Sequence, residues 1–399
     1  EQLRDHNTLF SSLLHEYAYW VEDAWVEGTI PPELCGTYFR NGPGLQIDNP
    51  RYRRHTFDGD GMILSLSFKD GQAYFRNRFV RTEGFVKEQE AGRPLYRNSF
   101  TRGAADGSPW FNPFDLSFKN VANTGVLCWA GQLYAMWEGG LPYRMDPLTL
   151  ATVGESSMGG ALKEGGTFAA HYRVVSSEAD GGRRWVSFSS STGFGGAALT
   201  FYEFGEDGRK LHETTHALEN TSMVFVHDML VSEHYYIVLL GPIDFDPKKF
   251  ATQYVLSKCS IAECLVYDRN KPARVVLAPR PGRPSGKVLA PRSLPTDPCF
   301  AFHHVNAFEV EREGVAEPLV VVDTVAWEDV SFSVNQYTYG PEYYEGLGRK
   351  LSAGPLATIR LPHRLPAGLH GSWDDGVFRG PEGEGAVPRW RELGTIRAL

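Results

Sequence analysis

"MILSLSFKDGQAYFRNRFV", residues 62–80, alternates apolar and polar side chains on both sides of Lys69-Asp70-Gly71-Gln72. A period of two sends alternate side chains to opposite faces of a strand, and Asp-Gly tolerates the positive φ angles of a two-residue hairpin turn. The stretch therefore reads as a β-hairpin, and its plan recurs along the chain. "VLCWAGQLYAMW" (126–137) turns at Ala130-Gly131, and "LTFYEFGEDGRKLHETT" (199–215) turns at Glu206-Asp207-Gly208. "MLVSEHYYIVLL" (229–240) repeats it, and "CLVYDRNKPARVVLAP" (264–279) predicts a further hairpin turning at Asp268 to Pro272. Helical spacing is rare; the candidate is "NTLFSSLLHEYAYW" (7–20). Successive hairpins without strand–helix–strand alternation predict an all-β fold. At 399 residues with no linker, a β-propeller is the architecture that absorbs so many hairpins in one domain, although no short blade repeat is visible.

Composition narrows the function. The chain is 42 % hydrophobic and 13 % aromatic, enough for a deep core. Its formal charge is −8, and short basic clusters such as Arg51-Tyr52-Arg53-Arg54 are offset by nearby acids, so nucleic acid is not an expected partner. The apolar run "YYIVLLGPI" (235–243) is far short of the roughly 20 residues a membrane-spanning helix requires. Five scattered cysteines, with Cys259 and Cys264 the one close pair, give neither a disulfide framework nor a zinc knuckle. No secretory signal is visible, and a reducing compartment, cytosol or plastid stroma, is expected.

Histidines carry the chemistry. "CFAFHHVNAFEV" (299–310) sets two adjacent histidines in an apolar, β-prone run, where an imidazole is costly to bury unless its nitrogens are satisfied. Similar surroundings hold His171 in "FAAHYRVV", His227 in "VFVHDMLV" and His370 in "LPAGLHGSW". Taken singly, each reads first as a hydrogen-bonded core residue. Intervals of 56, 76 and 67 residues between His171, His227, His303 and His370 would put each on a different blade, where inner strands converge on the propeller axis. Pleating favours His303 over His304, because an extended strand would place His303 on the face of the smaller residues Ala301, Val305 and Ala307. His55, His304 and His363 are expected to be structural or near the surface, and His6, His15, His212, His216 and His234 solvated. "DGDGM" (58–62) resembles a calcium-loop start but lacks the rest of that motif and reads as a turn. "PWFNPFDLSF" (109–118) reads either as core packing or as an apolar patch that docks on a membrane.

The chain resembles the carotenoid cleavage oxygenase family, and within it the apocarotenoid-15,15'-oxygenase type. The resemblance rests on "GTYFRNGPGL", "HTFDGDGMI", "FVRTEGFVKEQEAG", "KNVANTG", "MWEGGLPYRMDPLTLATVG", "FVHDMLV", "FAFHHVNAFE" and "LPHRLPAGLHGSW", in family order over about residues 20–375. It implies a seven-bladed propeller with one ferrous ion per chain on its axis, held by His171, His227, His303 and His370. It assigns Glu138 to hydrogen-bond a ligand imidazole, expected to be that of His227, Thr124 to shape the open metal position, and Trp137, Phe225 and Phe302 to line a tunnel for a lipophilic polyene. The implied reaction is cleavage of one conjugated double bond of a carotenoid or apocarotenoid with O₂, giving carbonyl products. Relative to the family pattern, about a hundred residues, on the order of two blades, are missing near residues 345–352. Two further supporting glutamates of the family have no counterpart, since Glu342 and Glu345 lack the expected flanks, and the tail 376–399 matches no family stretch. The alternative implied by the gap is a non-catalytic carotenoid-binding descendant.

Overall fold

The computed structural model describes residues 11–46, 48–49, 52–53, 55–101, 111–176, 181–193, 196–218, 225–281, 291–313, 318–328, 330, 355–379 and 391–398. The expected junction near 345–352 lies outside the described residues, as do Glu342 and Glu345.

The chain folds mostly into antiparallel sheets. The opening hairpin is present: Asp60–Lys69 pairs with Gln72–Phe79, and Asp70 and Gly71 at its tip have φ of 54° and 73°. Both angles are positive, as a turn matching the right-handed twist of the flanking strands requires. These strands lie inside a six-stranded sheet whose order is His370–Asp374, Gly36–Leu45, Asp60–Lys69, Gln72–Phe79, His15–Trp20 and Arg391–Thr395. Polar side chains on both faces of the hairpin are buried, Ser67 on one and Asn77, opposite Leu64, on the other. Ser67 donates to the Phe378 carbonyl at 2.8 Å, and Asn77 bonds the His15 carbonyl and the Tyr17 amide. These bonds are what let Ser67 and Asn77 face inward.

Three four-stranded sheets follow. The first comprises Gly125–Trp129, Gln132–Met136, Tyr143–Met145 and Thr152–Glu155 in simple succession. The second comprises Arg173–Ser176, Arg183–Gly193, Gly196–Phe204 and Lys210–Leu218. The third comprises Leu230–Val231, Tyr235–Leu240, Ala273–Pro279 and Arg292–Thr296. A two-stranded sheet, His304–Val310 with Leu319–Thr324, comes next. Apolar side chains fill the gaps between neighbouring sheets. Trp185, wholly buried, packs with Trp129, Tyr134 and Phe168 between the first and second, and Phe201 stacks on Tyr236 at 4.5 Å between the second and third.

Two sequence expectations are corrected. Residues 15–20 form the strand His15–Trp20 and not a helix; Tyr19 and Ala18 are buried against Gln72–Phe79, and sheet pairing overrides the local helical spacing. Among the described residues, the well-formed helix is Glu83–Ala91, where the Thr82 hydroxyl accepts from the Phe85 amide at 3.1 Å and caps the first turn. The stretch 264–279 is not a hairpin. Leu265–Tyr267 pairs with Ile243–Phe245, whereas Ala273–Pro279 pairs with Tyr235–Leu240, so the turn at 268–272 links two different sheets. The unassigned tail contributes too: Arg391–Thr395 adds to the outer edge of the six-stranded sheet beside His15–Trp20.

The first strands of the sheets lie against one another. His370–Asp374 packs on Gly125–Trp129, and Leu230–Val231 packs on both Arg173–Ser176 and His304–Val310. The Tyr172 hydroxyl closes the remaining gap by donating to the Val126 carbonyl at 2.8 Å. This approach leaves no space at Gly125, where an added Cβ would lie 2.1 Å from the Ala170 carbonyl oxygen. Backbone on both sides cannot swing aside. Gly125→Ala is expected to cost about 1–3 kcal/mol, the usual range for overpacking, read as a lowered urea midpoint.

Candidate metal centre

Each of the four histidines stands where a first strand begins. His171 lies two residues before Arg173–Ser176, His227 three before Leu230–Val231, and His303 one before His304–Val310. His370 is itself the first residue of His370–Asp374. Because those strands face one another, the four imidazoles meet. The His171 ring centroid is 4.4 Å from that of His227, 4.9 Å from His303 and 4.3 Å from His370. His303 lies 5.3 Å from His227 and 5.4 Å from His370. Candidate ligand atoms of His171, His227 and His303 all fall within 4.8 Å of one another. Thr124 occupies the corresponding place in the sheet that contributes no histidine, one residue before Gly125–Trp129. Its hydroxyl donates to Asn123 Oδ1 at 2.9 Å.

The donor set suits a divalent first-row metal. Nε2 of His171 and Nε2 of His227 are 2.8 Å apart. Two imidazole nitrogens held about 2.1 Å from one ion at right angles would be about 3 Å apart. Burial pushes the His171 pKa well below its ordinary value, and the neighbouring histidines push it further. The same causes lower His303 and bring His370 down to about 4, so these rings are neutral and keep a lone pair for a cation. His227 differs. Burial works against its charged form, but the Glu138 carboxylate and Asp228 outweigh that and raise its pKa. Glu138 Oε2 lies 2.6 Å from His227 Nδ1, which fixes the ring direction and leaves Nε2 facing His171.

His303 reaches the cluster by a route that pleating does not describe. The strand starts at His304, after a bend, and its register shifts between His304 and Asn306. His304 turns away to place Nδ1 2.6 Å from Thr324 Oγ1. Val305, on the supposed small-residue face, is 68 % exposed. Among the aromatics, Phe302 sets its ring edge-on to His227 at 5.1 Å, and Phe302 and Phe225 both pack on Phe300, at 4.7 and 5.9 Å. Trp137, partly buried beside Glu138, is not among the side chains packed in that cluster. Phe300 went unnoticed in the sequence as part of this wall, as did Asp228, a buried acid inside the apolar run "VFVHDMLV". A charge with no reason to lie in a strand core was the available signal.

The remaining histidines are placed within the framework. His55 Nδ1 accepts from the Phe57 amide, and the Tyr19 hydroxyl meets His363 Nε2 at 2.7 Å. His234 is not a solvated group: its Nδ1 lies 2.7 Å from Glu309 Oε2. His216 is half-buried against the Phe201 ring. His6 lies outside the described residues. In "DGDGM", Asp58 accepts from the Ser99 and Phe100 amides and from Thr101 Oγ1, while Asp60 pairs with the buried Lys119. Both carboxylates thus serve the chain itself.

Comparison with known proteins identifies the family. The family described as retinal pigment epithelial membrane protein matches residues 10–345. The chain is 40 % identical over 325 residues to the apocarotenoid-15,15'-oxygenase of Synechocystis, covering 80 % of this chain and 62 % of that protein. It is 27 % identical over 331 residues to the β,β-carotene 15,15'-dioxygenase of Mus musculus, covering 77 % and 55 %. Among solved structures, the cobalt-substituted Synechocystis apocarotenoid oxygenase superposes with a TM-score of 0.72 at 36 % identity, covering 82 % of this chain and 64 % of that one. The chain thus spans less than two thirds of the length of these relatives. By sequence and by fold, it belongs to the retinal pigment epithelial membrane protein family, which includes the carotenoid oxygenases.

Proposed function

We propose that this chain is a non-haem Fe(II) dioxygenase that splits one conjugated double bond of a carotenoid or apocarotenoid with O₂, leaving an aldehyde or ketone at each end. The observation that carries the reading is the contact of four imidazoles from four separate strand entries, with Glu138 on His227. His171, His227, His303 and His370 would hold one iron per chain, and the ion would supply O₂ activation next to the substrate. The oxygen balance is simple: both atoms of O₂ end in the two carbonyls, and no proton is gained or lost. Protein acid–base groups are therefore not needed for the net change. What the chain contributes is placement and dryness. Phe225 and Phe302, backed by the buried Phe300, would offer flat apolar surface to a rigid polyene beside His227, and Thr124, at the entry of the sheet that lacks a histidine, would shape the open metal position. We read the consecutive four-stranded sheets as blades of a propeller of the family's seven-bladed type, shortened near 345–352. Five free thiols are in keeping with a reducing compartment such as cytosol or plastid stroma.

We also propose a membrane contact at 111–118, the described part of the apolar stretch 109–118. Phe114 is 73 % exposed, Leu116 and Phe118 are exposed beside it, and Phe114 holds a φ of 68°, an unusual angle for a bulky residue. A strained backbone that presents an aromatic ring to solvent fits delivery of a substrate dissolved in lipid. No helix among the described residues is long and apolar enough to cross a membrane, so such contact would be peripheral.

Aerobic incubation of the iron-loaded chain with an apocarotenal should bleach the polyene absorbance and yield shortened aldehydes. Bound iron without those products would overturn the proposed activity. Glu138→Gln should lower iron affinity about 10–100-fold in competition with a chelator, because the neutral amide holds the His227 ring more weakly. Phe114→Asp combined with Leu116→Asp should abolish co-sedimentation with phospholipid vesicles and leave turnover of detergent-solubilised substrate unchanged.

A further inference from the structure

We infer that Asp228 is the positioning residue of the metal centre, acting through Arg173 and the His304 backbone to hold three of the four histidines in register. The inference rests on the reading of the four histidines as a metal site. Asp228 directly follows His227 and its side chain is 2 % exposed. One carboxylate oxygen, Oδ2, accepts from Arg173 Nη2 and from the His304 amide, both at 2.9 Å. The other, Oδ1, accepts from the Met229 amide at 2.7 Å. Arg173 then reaches back with Nη1 to the Tyr172 carbonyl at 3.0 Å and with Nη2 to the His304 carbonyl at 3.3 Å.

Three segments remote in the chain are thereby tied at one point. Arg173 lies two residues after His171, Asp228 one after His227, and His304 one after His303. These are the same three histidines whose ligand atoms fall within 4.8 Å of one another. His370 is outside the bracket. Its strand is held by pairing with Gly36–Leu45, and it meets the others by ring contact. The tied set thus coincides with the set whose candidate ligand atoms lie within 4.8 Å of one another. A carboxylate that accepts several charge-assisted or amide bonds is a rigid joint, and a joint one or two residues from each imidazole sets where each backbone starts toward the ion.

The bracket is also close to neutral, because Arg173 offsets the charge of Asp228. Its contacts are to backbone and to Arg173, which separates it from Glu138, whose carboxylate touches an imidazole. Glu138 would orient one ring; Asp228 would space three backbones. Geometric support by Asp228 predicts a changed ligand field, whereas simple support of the fold predicts a changed unfolding midpoint with an intact field.

The test uses the full chain loaded with Co(II), whose visible absorption reports ligand geometry, with Asp228→Asn and Arg173→Lys as variants. Asp228→Asn keeps an oxygen for the His304 amide but loses the charged bond to Arg173. The expected result is a shifted and weakened Co(II) spectrum and a metal affinity about 10–100-fold lower, with the metal-free urea midpoint unchanged. Arg173→Lys, which retains charge but not the forked donor geometry, should give a smaller shift in the same direction. Spectra and affinities equal to wild type would overturn the inference, and so would an affinity loss that merely follows a lowered midpoint. If Asp228→Asn does not fold, Arg173→Lys decides by the same two readouts. A wild-type chain that takes up neither cobalt nor iron sinks the functional reading and this inference together, whereas failure in the variants alone sinks only the inference.

Discussion

Four imidazoles packed ring against ring inside a protein are a liability unless something repays their lost hydration. The pair that carries the strongest constraint is His171 and His227, whose Nε2 atoms face each other at 2.8 Å. One proton in that gap makes an N–H···N bond; without it, two lone pairs face each other. A cation bound by both nitrogens would use both lone pairs at once, and the supports around the pair converge on this contact. Glu138 takes the outer nitrogen of His227 and so commits its inner nitrogen to the centre. The first strands of the sheets must then approach closely enough for their entry residues to touch, and Gly125 against the Ala170 carbonyl shows how little room remains. The outer strands are free of that demand and vary in length and pairing, down to the two-stranded sheet at 304–324.

Much of this was legible along the chain because it rests on local chemistry. Asp70-Gly71 and Ala130-Gly131 turn where the angles they tolerate are needed, and both hairpins form around them. What alternation cannot reveal is which strand a strand will pair with. Residues 265–267 and 273–279 look like one hairpin, yet the insert 243–267 pairs with itself and passes its neighbour on to Tyr235–Leu240. Residues 15–20 carry helical spacing, and sheet pairing between two chain ends, with Arg391–Thr395 on the far side, overrides it. Both misreadings concern long-range pairing, which no local window contains. The site shows the same division. Histidines in apolar runs announce themselves, whereas the bonds from Asp228 to residues 55 and 76 positions away do not. Pleating favours His303 within its pair, yet the structure has no such pleat there: the strand begins only at His304, after a bend, and its register shifts by Asn306.

The short span of the chain relative to its relatives raises a physical question about His370, the last of the four to be made. If its place depended on the strands that precede it in the chain, loss of intervening structure would let it drift. The structure locates its support elsewhere. His370 is in register with Asn41, and the Leu369 amide donates to the Asn41 carbonyl at 2.8 Å. The Asn41 side chain in turn donates to the carbonyls of Ala122 and Gly125, beside Thr124. His370 is thus pinned to strands near the start of the chain, and through Asn41 to the sheet entry next to it. The sheet at 304–324 is joined to the centre at its inner end, through His303 and the His304 amide, while its outer part leaves Val305, Phe308, Val325 and Trp327 exposed. The centre is closed from the other side, by the pairing of the C-terminal strand with the N-terminal sheet, and a chain of this length can still bring all four imidazoles together.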